Sequence, residues 1–156
     1  MENVMSISGM YRVAEVELVY KTKVKASERP KVSGSKEVYQ LLAACWDESK
    51  IEFVEQFKIL LLNRGNKVLG VYEISTGGMA GTIADPKVIF SAALKACASS
   101  IILSHNHPSG NLKPSDADIQ LTRKIINGGN LLDIAVLDHV IISAEGYYSF
   151  ADEGLI

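Results

Sequence analysis

Apolar positions along the chain fall into separate patterns. Val38, Leu41, Leu42, Cys45 and Trp46 recur at i, i+3, i+4, i+7 and i+8. That is one face of a helix, capped by Ser35 and ending near Asp47. Ile89, Phe90, Ala93, Leu94 and Cys97 form a similar stripe behind Asp85-Pro86, a cap followed by proline at the first helical position. Ile119, Thr122, Ile125 and Ile126 mark a third helix, expected from Ser115 to Asn127 and stopped by Asn127-Gly128-Gly129. Apolar runs of strand length lie between: Phe57 to Leu62, Val68 to Ile74, Ile101-Ile102-Leu103, Ile134 to Ile142, and finally Tyr147 to Phe150. The turn Asn63-Arg64-Gly65-Asn66 joins the first two as a hairpin. Residues 11–20 alternate, with Val16, Leu18 and Tyr20 against Glu15 and Glu17, as a half-buried strand does. Residues 1–10 read as a loose terminus.

The resulting order, βαββαβαββ, contains hairpins and crossovers. It predicts an α/β fold with a mixed sheet flanked by helices. The 156 residues suit one domain with a real core, and no internal repeat or linker divides them. Residues 1–34 are expected as an N-terminal strand and basic loop packed on the domain spanning 35–156.

Charge and composition narrow the classes. The net charge is −2, so no overall basic field favours nucleic acid. Lys21, Lys23, Lys25, Arg29, Lys31 and Lys36 form a basic segment, read first as an edge strand and loop kept soluble by charge. It lacks the interleaved aromatic platform of a nucleic-acid surface. No apolar stretch approaches membrane-spanning length, and no signal peptide is expected ahead of the fold. Cys45 and Cys97, with no C-x-x-C pair, read as free, buried thiols in a reducing, cytoplasmic setting.

The chemistry concentrates in Ser104 to Asp118. His105 and His107 sit two apart at the end of an apolar strand, so both imidazoles point to one side. Pro108 ends the ladder because it has no N–H to donate. Ser115 caps the next helix, and Asp118 lies in its first turn, where its carboxylate can face the imidazoles. Two histidines and an aspartate make a three-ligand set, and catalytic zinc keeps three protein ligands with water in the fourth position. The plainer reading of Ser115-x-x-Asp118 is a capping box. Ser75 to Gly81 is glycine-rich but lacks the P-loop pattern. It reads as a flexible connection or as a backbone edge where an extended peptide could pair.

His105-x-His107, seven residues, then Ser115-x-x-Asp118 resembles the JAMM (MPN-plus) metalloprotease signature. Within that group, His105 to Gly110 resembles the RadC family, as do Leu137 to Ile142 and Tyr147 to Phe150. The similarity runs from about Ser35 to the C-terminus. It implies a deaminase-like, three-layer α/β fold, with zinc on His105, His107 and Asp118. It also implies that Ser115 hydrogen-bonds the oxyanion or the bound water, and that a glutamate on a neighbouring strand acts as general base. Glu55-Gln56-Phe57 matches the family's Glu-x-Phe, with Glu52 and Glu73 as rivals. Asp138-His139 falls in a matching segment, where His139 is either a satisfied strand histidine or an outer partner of the site.

The implied activity is zinc-dependent hydrolysis of a peptide or isopeptide bond in a protein substrate. The alternative is a DNA-repair-associated or partner-binding module without catalysis. RadC-family proteins carry a helix-hairpin-helix region ahead of the metal domain, whereas residues 1–34 here read as strand and loop. DNA binding is therefore expected to be weak. Contiguous His-Asn-His is not an HNH nuclease unit, and the deaminase pair H-x-E with P-C-x-x-C is missing.

Overall fold

The computed structural model describes residues 4–7, 11–78 and 81–156. Residues 1–3 and 8–10 of the expected loose terminus lie outside them, as do residues 79 and 80 of the glycine-rich segment.

The N-terminal region departs from expectation. Strands β1 (Val4–Ile7) and β2 (Tyr11–Ala14) form their own antiparallel pair, with Val4 opposite Ala14. Beyond Ala14 the alternating stretch is exposed rather than half-buried, with Val16 82% and Leu18 80% accessible. Alternation reports an extended backbone, but a sheet needs a neighbouring strand to supply hydrogen bonds. Among the described residues, Tyr20 anchors the stretch, its Oη donating to the carbonyl of Leu69 at 3.1 Å.

From α1 (Ser35–Cys45) onward the expected order holds. It continues through β3 (Gln56–Leu62), β4 (Val68–Thr76), α2 (Pro86–Lys95), β5 (Ser100–Asn106), α3 (Asp116–Leu131), β6 (Ala135–Ile142) and β7 (Tyr147–Ser149). The five-stranded sheet runs β4-β3-β5-β6-β7, antiparallel except between β5 and β6. One face packs on α2 and α3 through Ile59, Leu61, Ile101 and Leu103 against Ile89, Ala93 and Ile125. The other packs on α1 through Leu60, Leu62, Ile102 and Val140 against Val38, Leu42 and Trp46. This is the mixed α/β sheet flanked by helices that the pattern predicted, in the three layers that the resemblance implied. Each of these large aliphatic side chains contributes roughly 1.5–3 kcal/mol by leaving water.

The helices correct several details. Gly34, not Ser35, is the α1 cap. Ser35 instead bonds Asp152 Oδ2 at 2.5 Å and Tyr147 Oη at 3.2 Å. Asp85 caps α2 as expected, accepting from Lys87 N. Both cysteines are exposed, not buried. The buried line of α1 is the narrower Val38 and Leu42, continued by Trp46 just past its end, and α2 buries Ile89 and Ala93, with Ala96 buried just past its end, while Leu94 faces out. Cys97 lies past the end of α2 with φ 53°.

Gly128 and Gly129 do not stop α3, which runs through them. Their value is space: a Cβ at Gly129 would lie 2.3 Å from the Ile134 carbonyl oxygen, and one at Gly128 would lie 2.7 Å from the Phe90 ring. The glycines let α3 pass close to the start of β6 and to α2.

Candidate metal centre

The centre forms where β5 ends and α3 begins. His105 pairs with Phe57 on β3 and is buried. His107 lies one residue past β5, but its N–H still donates to the Ile142 carbonyl at 3.1 Å. That bond extends the ladder and preserves the alternation, so both rings reach the same side. The turn that follows closes with Gly110 N–H on the His107 carbonyl at 2.9 Å, with Gly110 at φ 83°. Ser115 then caps α3.

The capping box is real and coexists with the chemistry. Ser115 Oγ accepts from Asp118 N–H at 3.1 Å, and Asp118 Oδ2 accepts from Ser115 N–H at 2.8 Å. These bonds fix the Asp118 carboxylate so that it faces the histidines. His105 Nε2 lies 3.4 Å from Asp118 Oδ1, His107 Nε2 lies 3.6 Å from Asp118 Oδ2, and the two Nε2 atoms are 2.9 Å apart. These separations bracket the roughly 3.3 Å edge of a tetrahedron around zinc with ligands at 2.0–2.1 Å. His107 Nδ1 lies 2.5 Å from the Asn111 carbonyl, which can only accept. Nδ1 therefore carries the proton, and Nε2 offers a lone pair in the neutral ring. The triad fits a divalent metal such as zinc.

Electrostatics agree. Burial alone would raise the Asp118 carboxyl, but the imidazoles of His105 and His107 beside it, with the Ser115 N–H, hold it well below the usual carboxylate range. His107 is raised, chiefly by its bond to Asp118 and against the effect of burial. Each pulls the other toward the charged state that a cation would replace.

Glu55 joins this group. It directly precedes β3 and is tied to the strand beside it, donating N–H to Gly78 O at 3.2 Å and accepting from Gly77 N–H at 2.9 Å. Burial pushes its carboxyl up, while His105 and His107 pull it down and Asp118 adds repulsion. A cavity of about 520 Å³ is lined by Glu55, Ser115, Asp118 and His107, with Thr82 and Lys113 among its other walls. The rivals differ: Glu73 is exposed and accepts from Thr76, and Glu52, also exposed, borders a smaller cleft beside His107 and Pro108. A more apolar groove between β4 and α2 lies away from these residues.

Asp138 and His139 separate by strand alternation. Asp138 is saturated, accepting at Oδ1 from His139 N–H (2.7 Å) and Ala151 N–H (3.0 Å) and at Oδ2 from Ser149 Oγ (2.6 Å). Burial raises its carboxyl despite these bonds. It braces the turn after β7. His139 faces the other way, fully buried, its Nε2 2.7 Å from His105 Nδ1. Its ring lies against those of Phe57 and Phe150, and burial holds its pKa well below the usual histidine value.

Two residues of consequence were missed in the sequence. Asn106 Oδ1 accepts from Gln56 N–H at 2.7 Å, and its Nδ2 donates to the carbonyls of Ile51 (2.8 Å) and Val54 (2.9 Å). It thereby clamps the residues on both sides of Glu55. Its position between the histidines, hence on the opposite face, was the available signal. Thr122, read as core, contacts His139; its spacing of four from Asp118 was the signal there.

The RadC-like JAB domain model matches residues 32–155. A UPF0758 protein of Flavobacterium johnsoniae is 44% identical over 125 residues, covering 80% of this chain and 53% of its own length. One from Methanosarcina mazei is 40% identical over 126 residues, covering 81% and 54%. A third, from Porphyromonas gingivalis, is 46% identical over 103 residues, covering 65% and 45%. The chain thus spans about half the length of the curated relatives it matches. Among the described residues, no helix is long and apolar enough to cross a membrane. With the fold, the His-x-His…Asp cluster and a family match over most of its length in agreement, the chain belongs to the RadC-like JAB domain family.

Proposed function

We propose that the chain is a zinc-dependent hydrolase of the JAMM type, cutting a peptide or isopeptide bond. One observation carries the reading: a three-donor cluster opens through His107 and Asp118 onto a cavity that Glu55, a separate carboxylate of raised pKa, also lines. His105, His107 and Asp118 would hold the metal. A zinc ion with three protein ligands activates water near neutral pH and polarises a carbonyl oxygen at its open position. Glu55 takes a proton from the attacking water and delivers it to the leaving amine. Burial raises its pKa, which makes the carboxylate a better proton acceptor than an exposed glutamate. Ser115 Oγ accepts from Asp118 N–H and keeps its own proton available for the oxyanion.

The test uses quenched fluorescent peptides together with lysine-isopeptide substrates. Glu55→Gln should retain zinc and lose hydrolysis by roughly a hundredfold or more. Unchanged turnover in Glu55→Gln would transfer the role to Glu52 or Glu73.

A further inference from the structure

Behind His105 runs a chain of hydrogen bonds that the proposed reaction does not use. His105 Nδ1 lies 2.7 Å from His139 Nε2, His139 Nδ1 lies 2.6 Å from Thr122 Oγ1, and Thr122 Oγ1 lies 2.7 Å from the Asp118 carbonyl oxygen. Its proton positions follow by elimination. The Asp118 carbonyl can only accept, so the single hydroxyl proton of Thr122 goes to it. Thr122 Oγ1 then accepts, and His139 Nδ1 must donate. A neutral imidazole carries one N–H, so His139 Nε2 is a lone pair. His105 Nδ1 therefore donates, and His105 Nε2 is left unprotonated, directed at His107 and Asp118.

We infer that Thr122 is a positioning residue that, acting through His139, sets the tautomer and ring orientation of His105 so that its Nε2 is ready for a metal before one arrives. The inference deepens the zinc-site reading and rests on it. Asp118 closes the loop, with its side chain beside the two imidazoles and its main chain anchoring the relay one helical turn away. Such outer partners commonly change metal affinity by roughly ten- to a hundredfold. A buried histidine between two phenylalanines would otherwise serve packing alone, and that is the alternative to be broken.

The experiment has two arms. In the metal-free protein, nitrogen-15 NMR of the histidine side chains should show His105 as the Nδ1–H tautomer. Thr122→Val, which keeps the shape and removes the hydroxyl, should mix or invert it, and Thr122→Ser should restore it. In the second arm, zinc affinity against a competing chelator should fall at least about tenfold in Thr122→Val. It should fall similarly in His139→Phe, which keeps an aromatic ring in the stack, and recover in Thr122→Ser. Amide spectra report whether each variant is folded. Unchanged tautomer and affinity in both Thr122→Val and His139→Phe would overturn the relay. A tautomer change with no zinc bound by any form would uphold the relay and reject the zinc reading instead.

Discussion

The two faces of β5 and β6 each carry buried polar groups, of opposite character. On the α1 side, Asn106 and Asp138 each make three hydrogen bonds, and every one ends on this chain. On the α3 side, His105, His107 and Asp118 turn donor atoms toward one another, and Glu55 adds a half-buried carboxylate at the same cavity. Burial alone does not separate a structural network from a functional one. Unspent valence does: the first network is closed, whereas the second gathers negative and lone-pair atoms that a cation would satisfy. The two are physically linked, because Asn106 of the closed network holds the segment that carries Glu55.

Mutations should break the molecule differently on the two faces. Asn106→Ala orphans the Gln56 N–H and two carbonyls, so it should cost about 3 kcal/mol in denaturant unfolding. It should also impair the proposed hydrolysis by loosening the Glu55 segment, with His105, His107 and Asp118 intact. Wild-type stability in Asn106→Ala would erase the contrast. Asp138→Asn replaces an acceptor-only group facing three donors, and should destabilise by about 1–3 kcal/mol while leaving zinc stoichiometry unchanged. Glu55→Gln is the converse. Burial already disfavours the charged carboxylate, so neutralising it should leave stability within about 0.5 kcal/mol of wild type while the chemistry is lost.

The pH dependence sharpens the same contrast with smaller effects. His107 is raised by Asp118, so protons compete for its Nε2 at a pH above the ordinary histidine value of about 6.5. Zinc affinity measured by chelator competition should fall as pH drops through that region, by up to about tenfold per unit for each proton displaced. In the metal-free protein the pair also stabilises the fold. The His107 share is present below its unfolded pKa and lost as pH rises through the raised folded value. The Asp118 share is present above its unfolded pKa and lost as pH falls through the depressed folded value. His139 has a depressed pKa and so works against stability in acid, since the unfolded chain binds the proton that the buried ring refuses.

Much of the site was legible because its logic is local. The His105–His107 spacing on a strand and the Ser115–Asp118 spacing at a helix start each set a direction without knowledge of the rest of the chain. The central hairpin and the three helices were legible for the same reason. What escaped depends on neighbours. The alternation of residues 11–20 could not reveal that, among the described residues, no strand lies beside Val16 and Leu18. The helical stripes could not reveal that Cys45 and Cys97 fall just outside the buried arc. Gly128 and Gly129 looked like a stop because the close approach of Phe90 and Ile134 is a tertiary fact. Asn106 was hidden by the histidines on either side, although strand alternation sent it to the opposite face.

The central claim, that the open network is a metal centre, is tested most directly by elemental analysis of protein purified without added zinc. Wild type should carry one zinc per chain, and His107→Ala should carry essentially none while remaining folded. Equal zinc in the two proteins would contradict the account.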